Sequence, residues 1–145
     1  MSSRVVFEVA HQSDAYRECV ALRLAILRIP LGLSFTEEEL AREDSSLHLA
    51  CREDGRLVGC LVLVPLAGGL IKMRQVAVLP DIQGRGIGRL LVEFAEGFAR
   101  SRGLTRITLH ARTTAIPFYE RQGYERVGEE FEEVTVPHWE MQKSL

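Results

Sequence analysis

Gly84, Gly86 and Gly88 stand within five residues, with an apolar run before them and a helical stripe after them. No other stretch of the 145-residue chain constrains its fold as strongly. Leu70 to Leu79 reads as a strand, and Pro80 ends it. Ile87, Leu91, Phe94 and Phe98 follow at spacings of four, three and four. That is the stripe of an amphipathic helix that begins inside the glycine-rich turn. Gly103 closes the helix as a left-handed cap. Ile107 to Ala111 is the next strand. Two strands joined by a crossover helix are expected to be parallel.

The rest of the chain alternates in the same way. Val5 to Val9 is β-branched and aromatic and reads as the first strand. Ser13 or Asp14 caps a helix with the stripe Ala15, Cys19, Leu22 and Ile26, which Pro30 stops. Leu31 to Phe35 is an unusually apolar loop. Thr36 and Glu39 form a capping box that opens a short second helix. Ser46 to Cys51 and Leu57 to Val64 make a hairpin through Asp54-Gly55. The second of these runs is almost continuously apolar and fits a strand buried on both faces. Thr114 is expected to cap another short helix, with Pro117 in its first turn and Gly123 at its end. Tyr124 to Val127 and Val134 to Met141 are the last strands, with a bulged or irregular segment from Gly128 to Glu133 between them. One domain over residues 1–145 is expected, of α/β (α+β) type: a helix pair, an antiparallel meander and a crossover unit.

Hydrophobic residues make up 46% of the chain and charged residues 26%. These values belong to a globular chain rather than a disordered one. The net charge of -2 excludes a global basic field of the kind that binds nucleic acid nonspecifically, while leaving room for a local cationic site. No run approaches the roughly 18 apolar residues of a membrane span. Residues 1–14 hold no apolar core of signal-peptide length. A cytoplasmic location without membrane contact is therefore expected. Cys19, Cys51 and Cys60 are odd in number and form no C-x-x-C pair, so buried reduced thiols are expected, with no disulfide framework and no metal site.

Glycines at the start of a helix let a ligand approach the backbone closely. The helix N-terminus adds unpaired N–H groups and a partial positive charge. Together they suit an anion, phosphate above all. Arg85 and Arg89 add cationic side chains. The turn is not a Walker A loop, because no Lys-Ser or Lys-Thr follows the glycines. Nor does its spacing match the dinucleotide fingerprint.

Gln83-Gly84-Arg85-Gly86-Ile87-Gly88 resembles the Q/R-x-x-G-x-G/A motif of the Gcn5-related N-acetyltransferases (GNAT). Arg74-Gln75-Val76-Ala77-Val78 looks like that family's fourth strand. The segment from Ala115 through Phe118 and Tyr119 to Gly123-Tyr124 is similar to its A-x-x-F-Y-x-x-x-G-F/Y stretch. The resemblance implies a mixed, mostly antiparallel sheet of six to seven strands, flanked by about four helices. That sheet would be splayed between strands four and five, with acetyl-CoA in the gap. Backbone groups at Val76, Ala77 and Val78 would bind pantetheine and the acetyl carbonyl. Gln83, Gly84, Arg85, Gly86, Ile87, Gly88 and Arg89 would hold the pyrophosphate. Phe118 would line the cofactor, and Tyr119 would protonate the departing thiolate. Many relatives carry Asn where this chain has Arg112; an arginine there would reach CoA or an acidic group of the acceptor. Leu22-Arg23, Leu27 to Gly32, Phe131 to Glu133 and Pro137 to Met141 are similar to a branch of small bacterial GNAT proteins of unassigned substrate.

The expected reaction is transfer of an acetyl group from acetyl-CoA to a primary amine, by direct attack in a ternary complex. An amine that is protonated at neutral pH needs a base. His138, Glu133 and His110 are the candidates, and each also reads as a structural residue. Arg23, Arg28, Arg42, Glu43 and Asp44 either face the acceptor or form a solvated helix face. Glu129, Glu130, Glu132 and Glu133 either attract a cationic amine or form a charged turn. A non-catalytic acyl-CoA sensor is the alternative, and a nucleotide-binding protein the third reading. Dimerisation through the last strands or the apolar loop stays open.

Overall fold

The computed structural model describes residues 3–145. Its strands are β1 (Arg4–Val9), β2 (Leu47–Glu53), β3 (Arg56–Pro65), β4 (Leu70–Val78), β5 (Arg106–Arg112), β6 (Glu125–Glu133) and β7 (Val136–Ser144). The α-helices are α1 (Asp14–Arg23), α2 (Glu37–Ala41), α3 (Ile87–Ser101) and α4 (Ile116–Glu120). All seven strands form one sheet in the order β1-β2-β3-β4-β5-β7-β6. Only β4 and β5 run parallel, joined over α3, as a strand–helix–strand crossover requires. The mixed, mostly antiparallel α/β sheet is thus the architecture expected.

Two apolar clusters lie on opposite faces of the sheet. Leu49, Cys51, Leu61, Leu63, Ile71 and Met73 pack with α3 on one face. Ala50, Cys60 and Ala77 pack with Tyr16, Cys19 and Leu22 of α1 on the other. The continuous apolar run of β3 follows from its place between the two. Gly59 sets how closely α3 approaches: a Cβ there would lie 2.9 Å from Leu91 Cδ1 and 3.0 Å from Ile87 Cγ2. Cys19, Cys51 and Cys60 are buried and free. No helix among the described residues is long and apolar enough to cross a membrane.

Several sequence expectations need correction. The stripe of the first helix runs beyond α-helical geometry, because α1 ends at Arg23 and a π turn (Leu24–Arg28) and a 3-10 turn (Ile29–Leu31) follow. Thr114 caps nothing: it lies inside a 3-10 turn, Thr113–Ala115, and Ala115 precedes α4 without a side-chain cap. Pro117 removes one of the N–H groups that a cap would serve. Gly128 to Glu133 belongs to β6 rather than connecting two strands, and the expected bulge lies between Val127 and Phe131. The hairpin turn falls at Val134 and Thr135, at φ 44° and 70°. Such a turn ordinarily takes Asn-Gly, so two β-branched residues there are strained and carry no turn signal.

Candidate active site

β4 and β5 pair only from Leu70↔Arg106 to Met73↔Leu109. Beyond Met73 the strands part, while β4 continues to pair with β3 as far as Val78. The edge of β4 that faces β5 is therefore left without a strand partner, and its backbone groups face the gap. A bulge at this point turns β4: Val62↔Arg74 gives way to Cys60↔Ala77, so one extra β4 residue is accommodated. Gln75 adopts φ 52° there. The extra residue inverts the alternation, so Met73 faces α3 and Ala77 faces α1. The resulting cleft, of about 320 Å³, is lined by β4 residues 72–76 and β5 residues 109–112.

The glycine-rich turn lies at the C-terminal end of β4. Gln83 Nε2 donates to the Val78 carbonyl at 3.0 Å and ties the turn to the strand. Gly84 and Gly86 have φ of 82° and 85°, and residues 83–86 are exposed. A Cβ on Gly84 would meet nothing within 4 Å, so the space outside this loop is free for a ligand. Gly86 occupies the N-cap of α3 with no side-chain cap, leaving the first N–H groups of a 15-residue helix available. Gly88 serves packing instead, since a Cβ there would lie 3.1 Å from Phe118 Cζ. Ile87 is buried beneath the turn. Arg85 and Arg89 are exposed, and Arg89 Nε donates to Glu93 at 2.8 Å.

Tyr119 lines the cleft from α4. Its ring meets Phe118 and Tyr124 edge-on, with centroids 5.0 and 5.8 Å away. Burial pushes its hydroxyl above the ordinary tyrosine range, with no neighbouring charge or hydrogen bond adding to the shift. The group thus stays protonated through neutral pH.

Across the cleft the structure brings together the three acceptor-side candidates. His110 Nδ1 lies 3.0 Å from Glu133 Oε1. A carboxylate only accepts, so Nδ1 carries the hydrogen; in the neutral form of the ring the lone pair is then on Nε2. His138 Nδ1 donates to the Val136 carbonyl at 2.9 Å, and its Nε2 lies 3.7 Å from Glu133 Oε2. Burial raises the Glu133 pKa, but the His110 hydrogen bond and the charges of His110, His138 and Lys72 outweigh it and hold the carboxyl below its usual range. Lys72, which carried no sequence signal, reaches within 3.5 Å of His110 Nδ1. Of the acidic run only Glu133 lines the cleft; Glu129, Glu130 and Glu132 are exposed on β6.

Arg112 Nη2 donates to the Leu27 carbonyl in the π turn at 2.7 Å. Burial, reinforced by the charge of Arg28, lowers its pKa. Arg23 and Glu43 do not form the solvated face that was one expectation for them. Arg23 is wholly buried and forks onto Glu43 at 2.9 and 2.5 Å. Tyr16 donates to the same carboxylate at 2.7 Å. Arg42 and Asp44 are exposed.

The family model described as an acetyltransferase (GNAT) domain matches residues 33–145. The uncharacterized N-acetyltransferase YjcF of Bacillus subtilis is 30% identical over 109 residues, 74% of this chain and 77% of that protein. The uncharacterized protein YyaT of the same organism is 31% identical over 80 residues, and the match spans about half of each chain, 55% of this one and 54% of that. Among solved structures, one from Lactobacillus plantarum, provisionally assigned as an N-acetyltransferase, superposes with TM-score 0.85 at 28% identity, covering 99% of both chains. An aminoglycoside 6'-N-acetyltransferase complexed with coenzyme A shares the fold, with TM-score 0.76 at 18% identity over 97% of this chain and 96% of that one.

Proposed function

This chain belongs to the acetyltransferase (GNAT) family and is an N-acetyltransferase of that family; from this premise we propose that it moves an acetyl group from acetyl-CoA to a primary amine by direct attack in a ternary complex. The observation that carries the reading is one continuous path. The unpaired edge of β4 leads from the cleft to the open turn at the N-terminus of α3. We take residues 1–145 as a single domain of this kind, acting in the cytoplasm.

Acetyl-CoA supplies an acetyl group activated as a thioester. Backbone groups of Val76, Ala77 and Val78 bind its pantetheine arm along the free edge of β4, and Val76 polarises the carbonyl. N–H groups from Gln83 to Arg89 hold the pyrophosphate, aided by the α3 dipole and Arg85. Phe118, seated on Gly88, closes the side of the arm. His110 Nε2, oriented by Glu133, removes a proton from the acceptor ammonium. The amine nitrogen then forms a bond to the carbonyl carbon, the carbon–sulfur bond breaks, Tyr119 gives its proton to the sulfur, and the second proton of the amine nitrogen leaves through solvent and restores the Tyr119 hydroxyl. A sensor of acyl-CoA would share the phosphate cradle but has no use for an unpartnered Tyr119 opposite a Glu133–His110 pair.

Calorimetry with acetyl-CoA, followed by thiol release against a panel of amines, tests the proposal. Binding together with turnover supports it. Binding with turnover of no amine favours the sensor, and absence of binding removes both.

A further inference from the structure

Strand residues alternate between faces, and residues directly opposite each other in a pair share one. The pairs His110↔Glu140, Arg112↔His138 and Phe131↔His138 therefore place five side chains on one face of β5, β7 and β6. Glu133 joins them by alternation. Lys72, opposite Thr108, and Arg74 extend the same face onto β4. This is the face that α1 covers farther along the sheet, opposite the one on which α3 packs.

The charge on this face is unbalanced. Glu133 is engaged by two histidines, and Thr108 Oγ1 lies 3.5 Å from Glu140 Oε1. Arg28, overhanging the cleft from the π turn, has a 3.6 Å ion pair with Glu39 and donates to the Ser34 carbonyl at 3.1 Å. Among the described residues, no carboxylate pairs with Arg112, Arg74 or Lys72. Arg112 is half-buried, its contact is the neutral Leu27 carbonyl, and the adjacent side chain is another arginine. A guanidinium has five donors, and a half-buried one without a counter-ion is costly to maintain. An anion bound between Arg112 and Arg28 removes that cost.

CoA phosphates do not supply this anion in the arrangement above, because their cradle starts α3, on the other face. We propose that Arg112 and Arg28 form a carboxylate subsite, so that the acceptor is a small amine that also carries a carboxylate, an amino acid or close analogue. This rests on the acetyl-transfer reading. His110 and Arg112 are two residues apart on β5, roughly 6.6 Å along the strand. One end of a small zwitterion thus meets Glu133 and His110 while the other meets the arginines. The cleft volume of about 320 Å³ suits a small molecule rather than a folded protein surface.

The test measures thiol release from acetyl-CoA with matched pairs: each genetically encoded amino acid and short ω-amino acids, each against the amine that lacks its carboxylate. The expected result is kcat/KM at least tenfold higher for an acid than for its matched amine. Arg112→Gln and Arg28→Gln raise the KM of that acid at least tenfold and leave the acetyl-CoA KM within twofold, and Arg112→Lys recovers part of the loss. Arg28→Gln leaves the Arg112–Leu27 hydrogen bond in place and keeps the test valid should Arg112→Gln fail to fold. Equal or better turnover of the decarboxylated amines overturns the inference. So does a change confined to the acetyl-CoA KM, or acetyl-CoA binding with turnover of neither set. Loss of acetyl-CoA binding by the unmodified protein instead brings down the transfer reading, and the inference with it.

Discussion

Arg23 Nε donates to Gln75 Oε1 at 2.7 Å, so a buried guanidinium at the end of α1 holds the left-handed residue of the β4 bulge. The bulge opens the sheet, and the residue after it, Val76, faces the reacting carbonyl in the proposed mechanism. Gln75→Ala leaves a buried donor unpaired, at a cost of about 1–3 kcal/mol. Arg23→Met leaves Glu43 buried without its partner and costs about 3–5 kcal/mol. Denaturant unfolding measures both. Steady-state kinetics of Gln75→Ala should show a fall in kcat larger than the change in acetyl-CoA KM; an unchanged kcat would separate the bulge from catalysis.

The same ion pair sets a pH dependence. Burial raises the Glu43 pKa, but the Arg23 hydrogen bond and charge and the Tyr16 hydrogen bond overcome it and leave the carboxyl below its ordinary value of 4.5. A carboxyl lowered on folding stabilises the native state fully above the unfolded value, and that stability is lost as pH falls through the folded value. The melting temperature should therefore drop below about pH 4.5, and more steeply than in Glu43→Gln. Parallel curves for the two proteins would show that the pair contributes nothing to acid sensitivity.

Tyr119→Phe removes a hydroxyl that has no hydrogen bond contributing to its pKa. Stability should change by less than about 1 kcal/mol, because no hydrogen-bond partner is left unpaired. Turnover should fall by roughly 10²-fold, the lower end for loss of a general acid, with the acetyl-CoA KM within twofold. Full activity in the variant would reassign the proton on the thiolate to water.

Two glycines separate packing from binding. Gly59→Ala forces a methyl against Leu91 and Ile87 and should destabilise by about 1–3 kcal/mol. Gly84→Ala meets no neighbour, and its φ of 82° costs about 1–2 kcal/mol. Its expected signature is kinetic, an acetyl-CoA KM raised roughly tenfold with kcat retained, on the phosphate-cradle reading. An unaltered KM would move the pyrophosphate elsewhere.

Local chemistry was readable along the chain. Thr36 and Glu39 form their capping box, Asp54-Gly55 makes its hairpin, and the glycine turn opens α3, because each depends on residues a few positions apart. The parallel β4–β5 pair followed from the crossover between them, and the place of the cleft from the resemblance to the GNAT family. What depended on residues far apart in sequence was not readable. Arg23 and Glu43 look like surface charges until two helices and the bulge close over them. The Val134-Thr135 turn carries no turn residue, so nothing local placed Glu133 beside His110. Lys72 acquired meaning only from sharing a face with those residues, and Arg112, conspicuous in the sequence for standing where many relatives carry Asn, was given its Leu27 contact only by the fold. The order of strands and helices and the phosphate-suited turn were legible in the residues alone, because backbone sterics, capping and hydrophobic periodicity act over a few residues. Which charges meet in the cleft was settled by the folded chain, because burial and pairing across strands depend on contacts that no local pattern encodes.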